Sequence, residues 1–211
     1  MLYKFERMIL PIVAYGDPVL KKEAIEIVKE HPGLDALIEN MFETMYEASG
    51  VGLAAPQIGK GIRLFIVDAS PFAVPDEDED GNEIELDAKA EGLDGFKKVF
   101  INPIIEEERG EEWGFNEGCL SIPKVREEVF RKETIDISYY DENWELKEET
   151  FNGYAARIIQ HEYDHIDGVL FTDYLSPLKK RLLKKKLQNI SKGDIEVDYR
   201  MRFPARKKAK H

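Results

Sequence analysis

The sequence contains one cysteine, no long apolar run and no internal repeat. Because Cys119 has no second cysteine to pair with, the chain forms no internal disulfide, and its fold does not depend on oxidising conditions. The first thirty residues offer only a short apolar stretch at 8–16, which is interrupted by Pro11 and flanked by Glu6 and Asp17. This stretch fits neither a signal peptide nor a membrane span, so we expect a cytoplasmic protein with no membrane attachment.

The length of 211 residues and the hydrophobic fraction of 43% are sufficient for one well-packed core. The net charge of -12 is distributed unevenly: residues 1–175 carry 17 Lys and Arg against 39 Asp and Glu, whereas residues 176–211 carry 13 against 3. We therefore expect a single domain over 1–175 and a basic helix and tail over 176–211. The tail is either a solvated end or a surface for a polyanionic partner such as RNA.

Hydrophobic periodicity indicates the fold class. Apolar residues recur at helical spacing over 33–49, and three runs rich in β-branched and aromatic residues, at 63–70, 98–108 and 131–142, are typical of strands. The acidic segment at about 73–97 is poor in apolar residues and indicates a surface insertion. Helices and strands do not alternate regularly, so we expect an α+β fold of antiparallel strands packed around a central helix.

That central helix is predicted over 152–168, between a possible N-cap at Asn152 and a stop at Gly168. It carries the pattern H-E-x-x-D-H, in which His161 and His165 lie one turn apart on the same face. Two imidazoles at this spacing can hold one metal ion, while Glu162, about 100° away around the helix, can reach a water molecule beside the ion. The alternative is a charged surface helix whose histidines bind nothing.

A third ligand decides between these alternatives. Metallopeptidases with this motif usually take it from downstream, but position 171 is Phe171 and the next histidine is His211 at the chain end. Upstream, Cys119 in the stretch NEGCLSIP (116–123) is the strongest candidate. A Cys-His-His set leaves one tetrahedral position open, as in catalytic rather than structural sites. The alternative is that Cys119 is buried and inert, as single cysteines often are.

A further stretch, GVGLAAPQIG (50–59), is weak by itself because its glycines lack the spacing of a phosphate-binding loop. Together, however, G-x-G-x-A-A-x-Q, E-G-C-L-S and H-E-x-x-D-H occur in an order and at separations that resemble the three signature motifs of the peptide deformylases. These enzymes remove the formyl group from newly made polypeptides. The resemblance extends from about Ile9 to Leu175, which would make 1–175 the catalytic domain.

The resemblance implies roles for individual residues. Cys119, His161 and His165 would hold the metal, natively iron(II), with zinc or nickel as replacements. Glu162 would be the general base and then the general acid, and the oxyanion donors would be the Gln57 amide and the Leu120 backbone N–H. Seven further residues would bind the N-formylmethionyl peptide, and these are Val51, Gly52, Phe115, Gly118, Arg126, Tyr154 and Ile158. We expect a monomer whose basic tail docks on the ribosome rather than taking part in chemistry.

Partners for the ligand histidines are predicted from their neighbours in sequence. Metal-bound imidazoles normally donate their second N–H to a carboxylate or a carbonyl. Glu117 and Asp164 are the nearest acidic residues, and Arg131 would neutralise whichever of them is buried. Two other functions remain as alternatives: a metallopeptidase with the H-E-x-x-H motif, and a ribosome-associated binding protein without catalysis.

Overall fold

The computed structural model describes residues 8–75 and 87–204 and has the expected α+β fold. Its strands are Ile12–Val13 (β1), Gly52–Ala54 (β2), Leu64–Asp68 (β3), Lys97–Cys119 (β4), Ile122–Tyr140 (β5), Leu146–Asn152 (β6) and Met201–Arg202 (β7), and its α-helices are Leu34–Glu47 (α1), Gly153–Ile166 (α2) and Pro177–Lys192 (α3). The strands from β2 to β6 form one antiparallel sheet in chain order, and β1 pairs with β7 in parallel.

The sheet separates two layers of the core. Side chains alternate along β3, so that Phe65 and Val67 pack in the cluster that contains α2, whereas Leu64 and Ile66 pack in the cluster that contains α1. This is the period of two that places successive strand residues on opposite faces. Every residue of β3 is buried because both faces of the sheet are covered there.

The strands β4 and β5 are much longer than the sequence indicates, at 23 and 19 residues. They are joined by the two-residue turn Leu120–Ser121, where Cys119 pairs with Ile122. Irregular pairing at four points bends this hairpin, and its end approaches α2. The polar, exposed middle of β4 explains the short prediction, because Glu106–Glu112 carries no apolar alternation.

The helices predicted over 33–49 and 152–168 are confirmed, with slightly shorter bounds. The first spans Leu34–Glu47 and buries one apolar face. The second spans Gly153–Ile166 and buries both apolar and polar side chains; Asn152 is at its N-cap position but makes no side-chain capping bond. No helix among the described residues has the length and apolarity needed to cross a membrane.

The described residues after Ser176, up to residue 204, pack against the rest of the protein. The α3 helix buries Leu187 and Ile190, whereas Leu178 and Leu182 are exposed. Beyond α3 the chain returns to pair β7 with β1. Sequence analysis had predicted the helix but not this return, because β7 is only two residues long.

The acidic insertion is described at its two ends, while 76–86 lie outside the described residues. At one end, Phe72 stacks on Tyr154 with ring centroids 4.9 Å apart. At the other, Ala90 and Leu93 are buried in the cluster that contains α2, and Asp87 accepts a hydrogen bond of 2.9 Å from the Tyr154 hydroxyl. The ends of the insertion therefore pack on the core beside α2.

Candidate active site

The structure brings Cys119, His161 and His165 together at the meeting point of the β4–β5 hairpin and α2. The potential ligand atoms of these three residues all lie within 4.8 Å of one another. The Sγ atom of Cys119 is 3.3 Å from Nε2 of His165. One turn of helix separates the histidines, and their rings are nearly perpendicular, so both can point at the end of β4.

A buried carboxylate holds the first histidine. Oε2 of Glu117 lies 2.9 Å from Nδ1 of His161, which leaves Nε2 for another partner. Arg131 donates two hydrogen bonds to the same carboxylate, at 2.7 and 3.0 Å, and Arg157 donates one at 2.9 Å. Burial alone favours the neutral acid, but the hydrogen bonds from His161 and Arg131 outweigh it and hold the pKa of Glu117 well below its usual range. Glu117 and Arg131 therefore have the positions expected from the sequence.

Asp164 occupies a more distant position than expected. Its carboxylate lies 2.8 Å from Nη1 of Arg131 and accepts a hydrogen bond of 2.9 Å from the Tyr174 hydroxyl. Among the described residues it makes no hydrogen bond to either histidine. Nδ1 of His165 is buried without a hydrogen-bond partner there. Asp164 is thus connected to His161 only indirectly, through Arg131 and the Glu117 carboxylate.

The two histidines differ in electrostatic environment. Burial, and next the charge of His161, lower the pKa of His165 well below its usual value, so that its imidazole is neutral and suited to bind metal. Burial lowers the pKa of His161, but its hydrogen bonds with Cys119 and Glu117 raise it by more, so that this pKa lies well above the usual value. A raised pKa means that the ring binds a proton readily, and a metal bound at Nε2 of His161 would displace the proton from that nitrogen.

Glu162 lies in the cleft next to these candidate ligands. It is 4% exposed, and its Oε2 atom makes no hydrogen bond among the described residues. Burial is the main cause that raises the pKa of Glu162 to about 7. A Cβ atom added to Gly52 would lie 2.4 Å from Oε1 of Glu162, so the glycine gives the carboxylate its space. This reason for a glycine at position 52 differs from the substrate contact expected from the sequence.

Gln57 and Leu120 flank the sulfur from two sides. Gln57 is in a short 3-10 helix after β2, and its Oε1 accepts a hydrogen bond of 2.7 Å from the backbone N–H of Ala54. The amide is thereby oriented with Nε2 3.4 Å from Sγ of Cys119. Leu120 directly follows Cys119 in the turn between β4 and β5. Both residues line the cleft.

The cleft in front of these residues has a volume of about 830 Å³. Six of the seven residues predicted to bind substrate line it, namely Val51, Gly52, Phe115, Gly118, Arg126 and Ile158. The seventh, Tyr154, lies behind the lining, where its ring packs against Phe72 and Phe115 at centroid distances of 4.9 and 5.6 Å. Tyr154 therefore supports the wall of the cleft through two rings that line it.

Several residues near the site were not predicted, among them Arg157, Phe72 and Tyr199. Arg157 binds Glu117 and also donates hydrogen bonds to the carbonyls of Val129 and Trp113, at 3.1 and 2.6 Å. Phe72 lines the cleft at the start of the insertion, and Tyr199 lines it from beyond α3. A basic residue inside the predicted α2 was the only available signal for Arg157.

The residues fit a transition metal. Sulfur and imidazole nitrogen suit iron, nickel and zinc better than magnesium or calcium, which prefer oxygen. The carboxylate on Nδ1 of His161 is the common outer partner of a metal-bound imidazole. Comparison with known proteins agrees, because a family model described as polypeptide deformylase matches residues 9–181.

The chain belongs to the polypeptide deformylase family. A peptide deformylase from Christiangramia forsetii is 62% identical over 203 residues, which are 96% of this chain and 100% of that relative. A crystal structure of a peptide deformylase from Legionella pneumophila has 36% identity and a TM-score of 0.70, with 89% of this chain and 98% of that chain covered. The activity is therefore that of a deformylase, a metallohydrolase acting on N-formyl amide bonds, and the metallopeptidase alternative is not favoured.

A third similar protein is a class I type b peptide deformylase from Acinetobacter baumannii, whose crystal structure contains bound Met-Ala-Ser. It has 32% identity and a TM-score of 0.65, and the match covers 81% of this chain and 100% of that deformylase. Resemblance of the three motifs had indicated the same family before the fold was known.

Proposed function

We propose that the chain hydrolyses the N-formyl group of formylmethionyl polypeptides with Cys119, His161 and His165 as metal ligands and Glu162 as the proton carrier. The single observation that supports this proposal most is the convergence of the three ligand atoms within 4.8 Å. They lie beside the buried carboxylate of Glu162, whose Oε2 atom makes no hydrogen bond among the described residues. The α2 helix is the central element, since it supplies two ligands and Glu162. We propose iron(II) as the native metal, with zinc or nickel as replacements.

A bound metal would act as a Lewis acid and lower the pKa of a coordinated water. Glu162 then takes the proton from the attacking water and delivers it to the departing amine, so one carboxylate serves as base and acid in turn. Its raised pKa, near 7, matches a group that must both accept and release a proton. The products are formate and a free N-terminus.

The charge that develops on the formyl oxygen requires donors in place before reaction. The Gln57 amide is oriented by the Ala54 N–H, and the Leu120 N–H is placed by the tight turn after Cys119. We assign these two groups as the oxyanion donors. Preorganised donors stabilise the transition state because they need not reorient as the charge appears.

The side chain of the terminal methionine would enter the apolar part of the cleft. Val51, Phe115 and Ile158 line this part, with Tyr154 behind Phe115. Gly118 lies near the end of β4, in a part of the strand that pairs with β5 but not with β3, so a peptide could pair with its other side. Arg126, opposite Gly118 in the sheet, offers a cation to the peptide backbone. Recognition through the peptide backbone would give the enzyme little specificity for the substrate side chains beyond methionine.

The exposed basic face of α3 would serve a different purpose. Arg181, Lys184 and Lys185 are exposed and form no ion pair among the described residues, whereas Leu187 and Ile190 attach the helix to the body. Cations presented in this way suit the phosphates of ribosomal RNA, near which formylated nascent chains emerge. We propose that this face brings the enzyme to the ribosome.

A substrate pair separates deformylation from peptidase action. The enzyme, purified without oxygen, is incubated with formyl-Met-Ala-Ser and with Met-Ala-Ser, and the products are identified by mass spectrometry and formate detection. We expect formate and intact Met-Ala-Ser from the first peptide, and no change in the second. Cleavage of the Met-Ala bond in either peptide would show a peptidase and refute the proposal.

A further inference from the structure

The chain segment after α3 forms part of the cleft wall. Val197, Asp198 and Tyr199 all line it. The Tyr199 hydroxyl donates a hydrogen bond of 2.7 Å to the backbone carbonyl of Leu120, 79 residues away in sequence. A carbonyl can only accept, so the phenol must be the donor.

The turn that carries Leu120 is held at both of its residues. The carbonyl of Ser121 accepts a hydrogen bond of 2.8 Å from the backbone N–H of Tyr15, and the carbonyl of Leu120 accepts from Tyr199. These two donors are themselves connected, because Tyr15 follows β1 and Tyr199 precedes β7, and β1 pairs with β7. The turn Leu120–Ser121 is therefore held by two tyrosines that flank the β1–β7 pair.

The segment that carries Tyr199 is anchored on either side. Ile195, Met201 and Phe203 pack against the apolar cluster beneath α3. The backbone N–H groups of Ile12 and Ala14 donate to the carbonyls of Arg200 and Arg202, both at 2.9 Å. The phenol is thus presented to Leu120 from an ordered backbone rather than from a loose end.

The two peptide planes at Leu120 share its Cα atom. One plane carries the Leu120 N–H, and the next carries the carbonyl that Tyr199 holds. Restraining the carbonyl plane restricts rotation about Leu120 and so limits the directions in which the N–H can point. Oxyanion donors contribute to catalysis in proportion to such preorganisation.

We propose that Tyr199 is a positioning residue, which aligns the Leu120 N–H for the reaction by holding the Leu120 carbonyl. The inference rests on the proposed function for its catalytic part, since it requires Leu120 to be an oxyanion donor. It also gives the C-terminal segment a role at the active site that is separate from the basic face of α3.

The test compares Tyr199→Phe with the wild-type enzyme, since phenylalanine keeps the ring in the wall and removes only the hydroxyl. Tyr139→Phe is the matched control: it removes a buried tyrosine hydroxyl that bonds Glu149 at the opposite end of β5. Formate release gives kcat and KM. Metal content, melting temperature and the ¹⁵N shifts of the Leu120 and Ser121 amides are measured on the zinc-loaded proteins.

For Tyr199→Phe we expect kcat to fall about 3- to 10-fold, the effect of one net hydrogen bond, with KM and metal content unchanged and the Ser121 amide shift altered. Tyr139→Phe should lower the melting temperature without changing kcat. Unchanged amide shifts or an unchanged kcat in Tyr199→Phe would overturn the inference, as would a loss of kcat that follows a loss of metal. No formate release by the wild-type enzyme would refute the proposed function and the catalytic part of the inference, while the amide shifts would still report on the contact itself.

Discussion

Nδ1 of His161 lies 2.9 Å from a carboxylate oxygen of Glu117, and this carboxylate is the common partner of one histidine and two arginines. Glu117, Arg131 and Arg157 are all nearly inaccessible to solvent. The contact therefore joins the proposed metal site to a buried ionic network, in which each charge depends on the others for compensation. The orientation of His161 and the stability of the fold should both depend on Glu117.

Glu117→Gln should weaken metal binding about 10- to 100-fold, as expected when the outer partner of a metal-bound histidine is lost. It should also lower the melting temperature, because the buried guanidinium groups of Arg131 and Arg157 both lose the negative charge of Glu117. Glu127→Gln is the matched control, since Glu127 faces Glu117 in the sheet but forms only a partly exposed pair with Lys179. Chelator competition and calorimetry measure both effects. Equal metal affinity in the two variants would contradict the role of Glu117.

Gly52→Ala should reduce turnover while leaving metal content unchanged. The added Cβ would approach Oε1 of Glu162 to 2.4 Å, so the carboxylate must move from its place in the cleft. We expect a loss of at least about 10-fold, a fraction of the 100- to 10,000-fold contribution of general acid–base catalysis. Gly61→Ala is the control, because a Cβ there meets no atom within 4 Å. Full activity of Gly52→Ala would show that the contact with Glu162 is not restrictive.

The metal should be bound by one sulfur and two imidazole nitrogens at about one equivalent per chain. X-ray absorption of protein purified without oxygen measures this ligation, and a shell without sulfur would contradict the assignment of Cys119. With iron bound, peroxide should inactivate the enzyme, since both the metal and the Cys119 thiolate can be oxidised. The zinc- or nickel-loaded protein should survive the same treatment longer.

Charge reversal on α3 should weaken ribosome binding without affecting turnover. Lys184→Glu combined with Lys185→Glu changes two exposed cations and preserves the buried contacts of Leu187 and Ile190. Cosedimentation with ribosomes should fall and should lose part of its salt dependence, whereas formate release from a free peptide should not change. Lys29→Glu combined with Lys60→Glu makes the same charge change at exposed positions outside the tail. Equal binding by both double variants would show that α3 has no special role.

Truncation at Ser176 is a less specific test of ribosome binding by α3. It would remove β7, the partner of β1, and Tyr199, which binds the Leu120 carbonyl, together with the lysines. A loss of peptide activity after truncation would therefore be expected whether or not the ribosome is bound. Charge reversal at Lys184 and Lys185 leaves β7 and Tyr199 in place, so it tests ribosome binding separately from the contribution of the C-terminal segment to the active site.

Local sequence patterns were enough to predict α1, α2 and α3 and the positions of β3, β4 and β5. Periodicity and helix-forming residues depend on neighbours within a few positions, so such elements leave a signal in the sequence. The lack of a suitable downstream histidine made Cys119 the strongest candidate for the third ligand, and the family motifs then supported its meeting with the two histidines. Spacing alone did not exclude the alternative that Cys119 is buried and inert.

Contacts between distant segments could not be predicted in the same way. Arg157 lies 40 residues from Glu117, and Tyr199 lies 79 residues from Leu120. An arginine in a helix and a tyrosine near a chain end are ordinary surface residues by pattern. Their roles arise only when the β4–β5 hairpin and the β1–β7 pair bring these segments to the cleft.

The most direct test of the account is formate release from formyl-Met-Ala-Ser by the wild-type enzyme and Glu162→Gln, measured together with metal content. Glutamine matches the shape of glutamate but cannot take a proton from water. We predict that the variant retains its metal and loses turnover about 100- to 10,000-fold. Turnover within about 10-fold of wild type at equal metal content would contradict the account, because another group would then have to carry the proton.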